Sequence, residues 1–285
     1  MTPSSAFVCR AFLEKCQPNE RAVLFRFLPE KDQLLIEQLP TISADFKKSF
    51  LSLKKTLDKV HFSWFAPHLR TLPENDIRLF LSALNPQQAE GLKNILLFSD
   101  HFPPLTEAGE TYIQEILIQK LSQNEPLLPL NFLPPSPLNA LLELNQEELE
   151  TLVRYLGLHD LAFEMRQIIE TAKLKRVFST LTKNEKEYLQ ALLPQKEPVV
   201  LKRLQIQNWD GRRESLKLLI QQRGLQRLGK ALYDEQPTLI WLVAHHFDIS
   251  MGQELLKACT KIELAKAKQH LINQTVKILS FIKKS

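Results

Sequence analysis

Seven glycines in 285 residues leave this chain almost without the positive-φ positions that tight hairpins and phosphate-cradling loops require. Leu, Lys, Gln and Glu, all good helix formers, dominate instead. No segment sustains the apolar–polar alternation, rich in β-branched residues, that marks a strand. The period that recurs is helical. Ile77, Phe80, Leu81 and Leu84 follow it, as do Leu149, Leu152, Val153 and Leu156, and Ile240, Val243, Ala244 and Phe247. The predicted fold class is all-α.

Local signals place several helix starts. Asn85 ahead of Pro86 predicts an N-cap followed by proline in the first turn. Thr182 with Glu185, and Asn145 with Glu148, have the spacing of a capping box, in which each residue satisfies a free amide of the other. Residues 126–137 hold five prolines in twelve positions. Each proline removes an N–H donor and restricts its predecessor, so this stretch is not helix. It divides the chain into an N-terminal helical domain (5–123), a Pro-rich linker (124–137), a second domain (138–232) and a C-terminal helical segment (233–285). The leucines and Phe132 of the linker predict that it docks on a surface.

A short unit recurs. Leu28-Pro29-Glu30 leads into Leu34, Leu35 and Ile36; Leu72-Pro73-Glu74 leads into Ile77, Leu81 and Leu84; Glu235-Gln236-Pro237 leads into Ile240, Val243 and Phe247. Each reads as a proline-initiated helix of about eleven residues, too short to bury its stripe except against its neighbours. An armadillo-like stack of short helices is the expected result.

The chemistry-bearing residues are sparse. The net charge of +5 is spread along the chain; it permits contact with nucleic acid or anionic lipid but requires neither. Cys9, Cys16 and Cys259 form no disulfide framework and suit a reducing compartment. No secretory leader pattern is seen, and the longest apolar stretch, Leu239–Ala244, is far short of the ~20 residues of a membrane span. A cytoplasmic location is expected, with any membrane contact made through partners. His245, His246 and Asp248 are the one candidate metal cluster, but adjacent helical residues point ~100° apart and do not share a face. His61, His68 and His101 stand alone. No Walker, dinucleotide-binding or nucleophile-elbow motif occurs. No catalytic residue, cofactor or metal ligand is therefore expected. The last predicted helix, 262–284, carries Lys266, Lys268, Lys277, Lys283 and Lys284 beside an apolar stripe and is expected to pack on its own domain.

From Leu138 to about Leu232 the chain resembles the C-terminal domain of FliG, the flagellar motor-switch family. Leu141-Leu142-Glu143-Leu144 and the run from Asn145 to Leu156 carry the likeness. So do His159-Asp160-Leu161-Ala162-Phe163-Glu164-Met165-Arg166, Phe178-Ser179-Thr180-Leu181-Thr182 and Glu197-Pro198-Val199-Val200-Leu201. Leu81-Ser82-Ala83-Leu84-Asn85-Pro86 resembles a turn of the family's middle domain. Glu235, Gln236 and Pro237 resemble its Glu-His-Pro-Gln motif, which helps bind the next ring protein. The family's torque helix opens on two aspartates; Asn145 and Gln146 stand there in this chain, with Glu147, Glu148 and Glu150 following and Arg154 kept.

The resemblance thus implies armadillo-like helices flanking a FliG C-terminal-like bundle. Functionally it implies a static, non-enzymatic adaptor of a type III secretion or flagellar-type basal body. Its partners would be the inner-membrane ring protein and a FliM-like platform protein, and copies could form a ring. The implied partner-binding residues are Glu235, Gln236, Pro237, Glu147, Glu148, Glu150 and Arg154. Two other functions are distinguishable by experiment: a helical-repeat nucleic-acid-binding protein, and a metal-dependent hydrolase built on His245, His246 and Asp248.

Overall fold

The computed structural model describes residues 1, 3–41, 52–98, 102–123, 125, 127–168, 170–195, 197, 199, 206, 209–262 and 265–283. All regular structure among them is helical, with no strand. The capping pairs close as their spacing requires. Asn85 Oδ1 accepts from Gln88 N at 2.9 Å while Gln88 Oε1 accepts from Asn85 N at 3.3 Å. Asn145 with Glu148, and Thr182 with Glu185, make the same reciprocal pair. Each pair satisfies amides that the first helical turn leaves without partners.

The chain forms two units, residues 1–135 and 136–285. The division falls inside the proline-rich stretch. The first unit contains α1 (Pro3–Lys15), α2 (Pro18–Arg26), α3 (Glu30–Gln38), α4 (Ser52–Leu57), α5 (Ala66–Leu69), α6 (Glu74–Ser82), α7 (Pro86–Leu96) and α8 (Glu107–Leu121). Helices α3 and α6 begin one residue after Pro29 and Pro73, which occupy the cap position; Pro86 is the first residue of α7. Helix α1 is two-sided. Phe7 and Ala11 pack with Leu128 and Phe132 from the proline-rich stretch. Ala6 and Leu13 pack with Ile36. Deeper in the unit two buried amides act as bolts. Gln88 Nε2 donates to the carbonyls of Leu57 (2.8 Å) and Val60 (2.7 Å), and Gln114 Nε2 donates to that of Ala83 (2.9 Å).

The second unit is built on two long helices of 20 residues each, α9 (Gln146–Met165) and α12 (Arg213–Leu232). They cross through glycine: a Cβ at Gly157 would collide with the carbonyl of Ile220, and one at Gly224 with the carbonyl of Val153. Backbone therefore meets backbone, and the apolar residues on either side close over the crossing. Around this pair lie α10 (Thr171–Thr180), α11 (Lys183–Leu192), α13 (Pro237–His246), α14 (Ile249–Ala258) and α15 (Ala265–Ile282). Helix α15 packs on both α9 and α12, and α14 packs on α12 and α13. Residues 233–285, set apart by sequence, thus belong to the same unit as 138–232. The physical reason is the stripe Leu271, Ile272, Thr275, Ile278 and Leu279, buried on one side of α15.

Candidate functional site

Helix α9 runs Leu156-Gly157-Leu158-His159-Asp160-Leu161-Ala162, and every one of these residues is buried. A polar side chain there must find partners, because an unmade hydrogen bond in the interior costs ~1–3 kcal/mol, more if charged. Four other segments supply them. Helix α12 brings Arg227, α15 brings Gln274, α11 brings Tyr188, and the stretch after α11 brings Glu197.

Arg227 is fully buried. Its Nε and Nη2 donate to Asp160 Oδ1 at 3.0 and 2.5 Å, Nη2 also reaches the carbonyl of Val199 (2.9 Å), and Nη1 donates to Gln274 Oε1 (2.9 Å) and Glu197 Oε1 (3.4 Å). Gln274 Nε2 donates to both oxygens of Glu197, at 3.2 and 3.1 Å. His159 Nδ1 lies 2.9 Å from Glu197 Oε2, and its Nε2 lies 3.0 Å from the Tyr188 hydroxyl.

The electrostatics assign the protons. Burial alone would raise the Glu197 carboxyl. The His159 hydrogen bond, the Arg227 charge and the Val199 amide together outweigh it and hold the group at about 2. Glu197 is therefore an ionised acceptor, and His159 Nδ1 carries the hydrogen between them. Burial first, then Tyr155 and Glu197, push the Tyr188 phenol well above its ordinary value, so it stays protonated and can donate to His159 Nε2. Burial pulls His270, 3.9 Å from Glu197 Oε1, below its ordinary value. The cluster is a carboxylate–imidazole–phenol chain anchored on a buried guanidinium, and it forms one wall of an open cavity of about 290 Å³.

The residues that the resemblance points to sit at helix starts and on the first turns of α9. Gln236 Oε1 caps α13, accepting from Thr238 N (2.5 Å) and Leu239 N (3.3 Å), and Pro237 is the first residue of that helix. Glu235 lies half-buried just after Asp234, which takes φ +66° to end α12. Glu147 is exposed on the first turn of α9, Glu148 closes the capping box with Asn145, and Glu150 accepts from Gln146 Nε2 at 3.0 Å. Arg154 reaches Thr151 Oγ1 (3.4 Å) and Glu185 (3.7 Å). No hydrogen bond or ion pair among the described residues joins Glu147–Arg154 to Glu235–Pro237.

His245, His246 and Asp248 do not converge. His245 stacks on Trp241 with ring centroids 3.8 Å apart and bonds the Trp241 carbonyl, while Asp248 caps α14. Among the described residues no three His, Cys, Asp or Glu side chains are placed to hold a metal. All three cysteines are free thiols. No described helix is long and apolar enough to cross a membrane. His101, Pro198, Val200 and Leu201 lie outside the described residues.

Sequence reasoning missed Arg227, Gln274 and Tyr188. One signal was present for Arg227: Leu216, Ile220, Gly224, Arg227 and Ala231 recur every three or four residues, so the arginine stands in the buried stripe of α12. No family model, no curated protein and no solved structure matches the chain.

Proposed function

We propose that this protein is a non-enzymatic adaptor that binds other proteins through helix faces. Helix α2 carries the proposal: none of its nine residues is buried. Val23 and Leu24 are exposed on it, Phe27 just beyond it is 81% exposed, and Leu34 on α3 is 60% exposed. Phe12 on α1 is exposed as well. Single exposed apolar residues are ordinary. Five between residues 12 and 34 are a concentration of exposed apolar side chains of the kind that a partner covers, at ~25 cal/mol per Å² buried.

The finer reading rests on the resemblance between residues 138–232 and the FliG C-terminal domain. On it, the chain is a cytoplasmic component of a type III secretion or flagellar-type basal body. It would join the inner-membrane ring to a FliM-like platform protein through armadillo-like and FliG-like helices. Glu235 and Glu147 are the residues of the implied set most available to a partner, since the others cap helices or pair within the chain.

Co-purification with the cytosolic domain of the ring protein and with the platform protein tests this. Both baits should retain the wild-type chain at moderate salt. Phe27→Ser with Leu34→Ser should lose one of them, and Glu235→Ala with Glu147→Ala should lose the platform protein. Retention by neither bait would overturn the basal-body reading. Retention of RNA or DNA with a steep salt dependence would replace it with the nucleic-acid one.

A further inference from the structure

Three helix faces and one carboxylate meet around the cavity of about 290 Å³. On α9 the lining residues are His159, Ala162 and Arg166. On α11 and its end they are Tyr188, Ala191, Leu192 and Gln195. On α15 they are His270, Gln274, Lys277 and Ile278. Each set follows the three- and four-residue spacing of a single helix face. Asp160 and Glu164, the buried acids of α9, lie ~100° or more round the helix from His159, Ala162 and Arg166 and point elsewhere. The volume of about 290 Å³ falls just below the ~300–1,000 Å³ range of drug-sized ligand pockets, so any occupant is small.

The walls divide by chemistry. Ala162, Leu192 and Ile278 supply apolar surface. Glu197, the one acid in the lining among the described residues, is already engaged by Arg227, His159 and Gln274. Among the described residues, the two cations in the lining, Lys277 and Arg166, have no carboxylate partner. Lys277 is exposed and forms no ion pair among the described residues. Among the described residues Arg166 gives its hydrogen bonds to main-chain carbonyls, those of Leu192 (3.0 Å), Leu193 (2.9 Å) and Gln195, and has no carboxylate partner. Capping α11 in this way also fixes the guanidinium in place. A cavity with an apolar wall and two cations that have no carboxylate partner among the described residues, one of them immobilised, is complementary to an anion with a short apolar body.

We infer that this cavity binds a small organic acid, its carboxylate between Lys277 and Arg166 and its chain against Leu192 and Ile278. The site is independent of the adaptor role and lies wholly within the second unit.

Calorimetric titration of the full chain with butyrate, butylamine and inorganic phosphate tests it. Butyrate should bind at a single saturable site with millimolar or better affinity, and butylamine should not bind. Lys277→Gln should weaken butyrate roughly tenfold, the size of one charge-assisted contact. Ala191→Leu, at an exposed lining position, should abolish binding by filling the cavity. Both variants should melt where the wild type does, because neither residue lies in the buried cluster. Absence of butyrate binding to the folded wild type overturns the inference, as does butyrate binding that survives both substitutions. Phosphate binding as tightly as butyrate would also overturn it, since the apolar wall would then contribute nothing.

Discussion

Arg227 on α12 gives two of its N–H groups to a single oxygen of Asp160 on α9, Oδ1, from Nε at 3.0 Å and Nη2 at 2.5 Å. The other oxygen, Oδ2, is buried with no hydrogen-bond partner among the described residues. The same guanidinium serves Glu197 and Gln274, so one cation ties together α9, α12, α15 and the stretch after α11. Such a tie need not add net stability over an apolar core, since removing charges from water is costly. It does make each partner expensive to lose alone.

Replacing Arg227 with Met should therefore lower the stability of the second unit by about 3–5 kcal/mol, because two buried carboxylates lose their cation. Adding Asp160→Asn should recover part of that loss. Urea unfolding of the full chain, followed at a signal from this unit, measures both. A loss under ~1 kcal/mol in the single variant would mean that water reaches the carboxylates and the tie is not structural.

Acid should unfold the second unit through two separable windows. His245 is buried and its ring is pulled down to about 4 from 6.5 by that burial. The fold favours its neutral form, so stability is fully present above 6.5 and is lost as pH falls toward 4. Glu197 is held at about 2 against an ordinary 4.5. Its stabilisation is present above 4.5 and is lost as pH falls toward 2. Unfolding midpoints measured from pH 7 downward should show both losses. His245→Gln should flatten only the upper window and Glu197→Gln only the lower. A single loss removed by neither substitution would assign acid sensitivity to other groups.

What could be read from sequence follows from the range of each interaction. Asn145 with Glu148 and Thr182 with Glu185 act across three residues, so their capping geometry was legible. The stripe Leu149, Leu152, Val153 and Leu156 was legible because a helix repeats it. The buried cluster was not. Arg227 meets Asp160 across 67 positions, and Gln274 meets His159 across 115. Spacing carries no record of such pairs. Of the two arginines in Gln222-Arg223-Gly224-Leu225-Gln226-Arg227, either reads as solvated surface unless its register is checked. The capping of α13 by Gln236 Oε1 was equally local, three residues or fewer from its amides, but was not read from the sequence. The Pro-rich boundary was visible in composition, but the docking of α15 onto α9 and α12 could only come from packing.

The exposed apolar residues should matter for association and not for folding. Phe27→Ser with Leu34→Ser should leave the urea midpoint within the ~0.5 kcal/mol typical of surface changes. The same variant should elute earlier from a hydrophobic-interaction column. A marked loss of stability would place these side chains in a core, and the surface argued for partner binding would disappear.

Glycine to alanine in a helix interior normally stabilises by about 1 kcal/mol. At Gly157 and Gly224 the sign should reverse. The added methyl would strike a main-chain carbonyl, that of Ile220 or Val153, and neither can rotate away as a side chain would. The helices must then separate, which opens the packing on both sides of the crossing. A loss of about 1–3 kcal/mol is expected for each substitution. Because Gly157 meets Ile220 and Gly224 meets Val153 at the same crossing, the double variant should lose less than the sum of the two: the first separation makes room for the second methyl. Gly109 on α8 supplies the contrast, since its added Cβ would meet only the Thr106 hydroxyl at 3.3 Å; Gly109→Ala should be close to neutral. Unfolding curves of the three single variants and the double decide the matter. Stabilisation at Gly157 or Gly224 would show that α9 and α12 stand further apart in solution than backbone contact, and would remove the framework that holds Arg227 against Asp160.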